Sequence, residues 1–77
     1  MDLNQLRYFQ KVARTQSVTR AAQELYVSQP TLSQSLSRLE SSLGVPLFIH
    51  QAGKPLQLND AGRAFLERVD AAFASLE

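Results

Sequence analysis

The sequence predicts a mainly α fold: three helices and a small β-hairpin, followed by a long C-terminal helix. Three observations predict it. Ser17 to Gly44, reading SVTRAAQELYVSQPTLSQSLSRLESSLG, carries two helical apolar patterns separated only by Tyr26 and Val27. Leu47-Phe48-Ile49 and Leu56-Gln57-Leu58 are short β-like runs on either side of HQAGKP, where Gly53 and Pro55 supply turn chemistry. From Ala61 to Glu77, apolar residues again recur at helical spacing. Two helices at a tight turn with a hairpin behind them make a winged helix-turn-helix over residues 1–58. Residues 59–77 are set apart as one further helix, with apolar surface to spare for a second copy.

The 77 residues allow one small domain, which buries only about 60% of the surface its unfolded chain exposes. Without cysteine there are no disulfides and no cysteine-based zinc sites, which fits a reducing cytoplasm. The longest apolar runs are a few residues, too short to span a membrane, and MDLNQLRYF lacks the basic start and apolar core of a signal peptide. A cytoplasmic, membrane-free chain is expected. Net charge is only +1, but its distribution is uneven: residues 1–58 carry a balance of +3 and residues 59–77 a balance of −2. Charge alone fits an ordinary solvated surface as well as it fits a patch for a polyanion.

The first helix starts at Asp2, whose carboxylate accepts from a free first-turn N–H while Gln5 reaches back as in a capping box. Leu3, Leu6, Phe9, Val12 and Ala13 form its apolar face. Arg7, Lys11 and Arg14 lie on a neighbouring stripe read as solvent-facing, with Tyr8 at an edge. Ser17 caps the second helix, in which Val18, Ala21, Ala22 and Leu25 face inward. The two alanines permit close helix approach. Ser17, Thr19 and Arg20 sit at the positive end of that helix, a place that favours a phosphate. Tyr26 and Val27 form a turn without glycine, with Val27 a buried plug.

The third helix opens with Ser28 as cap and Gln29 and Pro30 in the first turn, where the missing proline N–H costs no intrahelical bond. At 100° per residue, Leu32, Leu36, Leu39 and Leu43 share one side; Pro30, Gln34, Ser37 and Ser41 lie opposite, with Ser33 and Arg38 flanking. Gly44 ends the helix and Pro46 prevents its resumption. A helix that hides leucines and presents small uncharged hydrogen-bonding groups at its start is suited to a DNA groove. Lys54, at the hairpin tip, is the wing's candidate for a phosphate or minor-groove contact. The lone His50 has no second ligand at metal-binding spacing, so no metal site is expected.

Asn59 caps the last helix, with Asp60 in its first turn. Two stripes overlap there: Phe65, Val69, Ala72 and Leu76, and Leu66, Val69 and Phe73. One stripe is expected to cover the domain and the other to meet a second copy; folding of the whole helix onto its own domain is the alternative. No stop signal follows, as expected of a piece of a longer protein.

These residues together resemble the N-terminal DNA-binding domain of LysR-type transcriptional regulators. The matching residues are Leu3, Leu6 and Phe9; Ser17, Thr19, Ala21 and Ala22; Leu25, Val27, Ser28, Gln29 and Pro30; Leu32-Ser33, Leu39-Glu40, Leu43-Gly44-Val45, Leu47-Phe48, Leu58 and Ala61-Gly62. The match spans essentially the whole chain. The resemblance implies a winged helix-turn-helix followed by a linker helix, residues 59–77, that dimerises, and sequence-specific binding to double-stranded DNA at an imperfect inverted repeat, with tetramers in full-length members. It also implies a small-molecule inducer for a C-terminal domain outside this sequence, and no cofactor for this one. By resemblance, Gln29, Pro30, Thr31, Ser33 and Gln34 would face the major groove. Ser17, Thr19, Arg20, Ser28, Ser37 and Arg38 would position phosphates, with Lys54 in the wing. Phe65, Leu66, Val69, Ala72, Phe73 and Leu76 are the candidate dimer residues. The sequence departs from the family where Gln34 and His50 stand at positions usually held by arginine, and where the wing has only Lys54. Fewer cations predict a shallow salt dependence.

No nucleophile–base set or paired-carboxylate arrangement is available to an enzyme, since the single histidine lies in the hairpin. The rival reading is a dimerising helical protein-interaction module without specific DNA binding.

Overall fold

The computed structural model describes residues 1–76. The elements follow as α1 (Leu3–Thr15), α2 (Val18–Leu25), α3 (Gln29–Leu43), β1 (Phe48–Ile49), β2 (Gln57–Leu58) and α4 (Asp60–Ala74). The mainly helical winged helix-turn-helix expected from sequence is the observed architecture.

Each helix starts on a side chain that satisfies an otherwise unpaired first-turn N–H. Asp2 and Gln5 form a reciprocal capping box on α1. Ser17 accepts from the Arg20 N–H, Ser28 from the Thr31 N–H, and Asn59 from the Gly62 N–H. Helix ends are set by left-handed residues: Gln16 (φ 56°) after α1, Tyr26 (φ 58°) after α2 and Gly44 (φ 76°) after α3. Only the last is glycine. The helix-turn-helix corner therefore turns on Tyr26, whose side chain is 94% exposed.

The core is built of Phe9, Val12, Ala21, Ala22, Leu32, Leu36, Leu39, Leu47, Phe48 and Val69. Phe9 is its centre. Its ring lies 5.6 Å from the Phe48 ring and 5.2 Å, edge-on, from the Phe65 ring, joining α1 to β1 and to α4. Leu43, Val18, Leu25 and Val27 are half-buried against this core. Leu3, expected on the apolar face of α1, is 55% exposed, outside the core that Leu6 packs against.

The hairpin pairs Phe48 with Leu58 and Ile49 with Gln57 in an antiparallel register. Each strand is two residues long, one shorter than its apolar run suggested. At the tip, the Lys54 N–H donates to the Gln51 carbonyl (3.1 Å), with Gly53 at φ 75° supplying the turn. The Leu56 N–H donates to the Gln16 carbonyl (3.0 Å), so the returning strand is fastened to the corner between α1 and α2.

Helix α4 ends at Ala74, earlier than the apolar pattern indicated, and Ser75 closes it by donating from its backbone N–H to the Ala71 carbonyl and from its Oγ to the Ala72 carbonyl. Glu77, the last residue of the expected helix, lies outside the described residues. The segment set apart as a linker helix packs on the same core as residues 1–58 through Phe65, Val69 and Phe73. Asp70 strengthens that docking by accepting from Gln10 Nε2 (2.5 Å) and from Arg14 (3.0 Å).

Candidate nucleic-acid interface

Helix α3 divides cleanly. Leu32, Leu36 and Leu39 are buried, whereas Gln29, Pro30, Thr31, Ser33, Gln34, Ser37 and Arg38 are all exposed. Fifteen residues at about 1.5 Å each give a rod of about 22 Å, and a helix about 10–12 Å across matches the width of the B-DNA major groove. The side chains of Gln29, Ser33 and Gln34 make no hydrogen bond to the protein among the described residues, and all three are exposed. Their donors and acceptors therefore face outward unsatisfied by the fold. Ser28 and Thr31 are engaged with each other: Ser28 Oγ accepts from the Thr31 N–H and donates to Thr31 Oγ1 at 2.8 Å.

Helices α2 and α3 both begin without an acidic residue in the first turn, so the positive ends of their dipoles are not neutralised locally. Helix α4, with Asp60 in its first turn, is different. Beside the start of α2, Ser17 and Arg20 share one open groove with His50, Lys54 and Pro55 of the hairpin. The fold thus brings together residues drawn from two separate stretches of the candidate phosphate set. Thr19 is exposed on the same helix end, while Ser17 is half-buried by its capping role. Ser37 and Arg38 stand farther along α3, exposed and without a partner among the described residues.

The cations of α1 are occupied. Lys11 pairs with Glu24 (3.3 Å), Arg14 with Asp70 (3.0 Å), and the Arg7 guanidinium lies 4.8 Å from the Phe73 ring centroid. This stripe serves the scaffold, through exposed pairs that water screens strongly. Glu24 also receives the Arg20 Nε at 3.0 Å. Hydrogen bonds from Lys11, and then from Arg20, hold its carboxyl below the usual carboxylate range. A carboxyl lowered in the folded state adds stability that is complete above its unfolded value and is lost as pH falls through the lowered folded one.

The candidate dimer residues divide into two groups. Val69 is 3% exposed and belongs to the protomer's own core, so it offers no surface to a second copy. Phe65, Leu66 and Phe73 are half-buried against that core. Ala72 and Leu76 remain exposed, Leu76 at 67%. Nearer the start of α4, Leu43, Val45, Ala61, Ala64 and Arg68 line a shallow apolar groove. The periodicity of α4 identified an apolar helix but not which residues its own domain would consume.

Three positioning contacts had no local signal in the sequence. Glu40, half-buried, accepts from the Leu47 N–H at 2.7 Å and so fixes the chain between α3 and β1. Asn59 donates from Nδ2 to the Pro46 carbonyl and from its backbone N–H to Leu47, tying the start of α4 to the same segment. Gly62 gives that segment room: a Cβ there would lie 2.2 Å from the Leu47 carbonyl oxygen.

Residues 3–63 match the family model described as bacterial regulatory helix-turn-helix protein, lysR family. Among curated relatives, the uncharacterized HTH-type transcriptional regulator YybE of Bacillus subtilis (strain 168) is 54% identical over 71 residues, 92% of this chain and 24% of its own length. The probable cat1 operon transcriptional activator of Acinetobacter lwoffii is 52% identical over 68 residues, 88% of this chain and 22% of its own length. The chain thus spans about a quarter of these relatives. Among solved structures, the complex of the BenM DNA-binding domain with catB site 1 DNA superposes with a TM-score of 0.91 at 33% identity, covering 99% of this chain and 81% of that one. The chain belongs to the LysR family of bacterial regulatory helix-turn-helix proteins.

Proposed function

We propose that this chain binds double-stranded DNA in a sequence-specific manner as a dimer, at an imperfect inverted repeat, and that it thereby regulates transcription. The observation that carries the proposal is the outward face of α3, where Gln29, Ser33 and Gln34 are exposed and left unpaired by the fold. Glutamine matches the N6/N7 edge of adenine in bidentate fashion, serine reads either base type, and the Pro30 ring or Thr31 methyl suits a thymine methyl. Ser17, Thr19, Arg20, Ser28, Ser37 and Arg38 would position the backbone, with Lys54 reaching from the wing. Solved relatives of the same fold were crystallised on DNA, which supports the same use of α3 here.

Replacing Gln29 or Ser33 with alanine should lower affinity for a selected site by about 1–3 kcal/mol each and leave binding to random duplex nearly unchanged. Equal losses on both DNAs in a gel-shift series would show that these residues position the protein without reading sequence.

Dimerisation is assigned to the exposed side of α4 and the turn that follows it, with Ala72 and Leu76 fully available and Phe65, Leu66 and Phe73 lending their outer edges. Leu76→Asp tests it cleanly because Leu76 takes no part in the protomer's core. Sedimentation should shift from dimer to monomer, and a parent chain that sediments as a monomer would refute the interface.

No cofactor is assigned to this segment; small-molecule sensing and tetramer formation are assigned to the remainder of a full-length regulator. Among the described residues no helix is long and apolar enough to cross a membrane. A DNA partner supports a cytoplasmic site of action.

A further inference from the structure

We infer that Glu24 limits how strongly this chain holds DNA regardless of sequence, by retaining Arg20 in an internal ion pair. The inference rests on the DNA-binding reading above and assigns its regulation to one side chain outside the base-reading set.

Both carboxylate oxygens of Glu24 are used, Oε1 by Lys11 of α1 at 3.3 Å and Oε2 by the Arg20 Nε at 3.0 Å. Arg20 stands in the first turn of α2, in the groove it shares with His50 and Lys54, where a phosphate would lie. Cations are scarce here. Among the described residues, Arg14 and Arg63 are also paired with carboxylates, Arg7 lies over Phe73, and α3 contributes only Arg38. One carboxylate beside Arg20 therefore cancels a large share of the positive field available to a phosphate on this side. The pair is exposed, with Arg20 71% and Glu24 39% open to solvent, so it yields to a phosphate with little cost in packing. A competing effect exists, because Glu24 also orients Arg20 through Nε and leaves its terminal amino groups free. An exposed i,i+4 pair orders its arginine only weakly, whereas the paired carboxylate offsets the charge of Arg20 at every geometry. Neutralisation of Arg20 therefore prevails. A recognition helix with uncharged readers benefits from this arrangement, since nonspecific affinity comes from cations and specificity comes from base edges.

The test compares the parent, Glu24→Gln, Arg20→Gln and the double variant on a random-sequence duplex and on a site selected from a random pool, across a salt series. Thermal melts by circular dichroism confirm folding, and Glu24→Ala serves as a second substitution. Glu24→Gln should tighten random-duplex binding by about two- to fivefold at low salt, the size of one exposed ion pair, and steepen the log–log salt slope by up to about one. Adding Arg20→Gln should remove that gain. The preference for the selected site over random duplex should stay level or fall. Weaker binding by Glu24→Gln would show that the carboxylate only orients Arg20 and would overturn the inference. An unchanged affinity, or a gain that survives Arg20→Gln, would overturn it equally. A parent chain that shows no site preference strikes at the DNA-binding reading itself, a result visible before any variant is compared.

Discussion

Gly62→Ala is expected to destabilise the domain by about 3 kcal/mol, the upper end of what overpacking costs. The residue lies in the first turn of α4 with an ordinary helical backbone, so the requirement is for space. The added Cβ would lie 2.2 Å from the Leu47 carbonyl oxygen and 2.9 Å from Leu58 Cδ2. The leucine tip can rotate away, but the carbonyl cannot. Leu47 is 1% exposed, its N–H is held by Glu40 at 2.7 Å, and its carbonyl accepts from the Asn59 N–H at 3.0 Å. Helix α4 must therefore lift, and with it go the contacts of Phe65 and Val69. Gly44→Ala is the contrasting control: its Cβ would meet nothing within 4 Å, so only left-handed strain of about 1–2 kcal/mol is added. Urea midpoints for the two variants should differ in that order, with slopes unchanged. Equal midpoints would mean that α4 docks more loosely than the structure shows.

Phe9→Ala should cost about 3–5 kcal/mol, the range for truncating a buried aromatic residue. The ring is fully buried and holds Phe48 and Phe65 at once, so its loss opens a cavity between three elements. Domains of ordinary stability carry only about 5–15 kcal/mol in total, and one of this size belongs near the low end. Far-UV circular dichroism at 25 °C should show a large unfolded fraction, whereas Phe9→Leu, which keeps most of the volume, should remain folded. A cooperative native-like melt for the alanine variant would show that the core does not depend on this ring.

Much of the architecture was legible because it is written locally. Asp2 with Gln5, Ser17, Ser28 and Asn59 each announce a helix start within three or four residues, and each performs the expected capping. The leucine period of α3 separated its buried side from its exposed one, and the exposed side contains every candidate base-reading residue. What sequence did not reveal is set by pairs distant along the chain. Asp70 receives Gln10 and Arg14 from about sixty residues away, Glu40 holds the Leu47 N–H, and Gly62 faces the Leu47 carbonyl. No periodicity reports such contacts. The same reason explains Val69: helical spacing placed it on both apolar stripes, but only packing could assign it to the interior. Tyr26 and Gln16 in left-handed geometry were equally hidden, since the residue types that favour it, glycine and asparagine, are absent from both positions.

Base reading by the uncharged face of α3 is tested most directly by selecting bound duplexes from a random pool with the parent chain. Convergence on two similar half-sites related by a dyad is expected, with adenine favoured where Gln29 and Gln34 reach the bases. Gln29→Ala should broaden the consensus at a single position in each half-site. A bound pool as random as the starting pool, recovered even at low salt, would contradict base reading by α3.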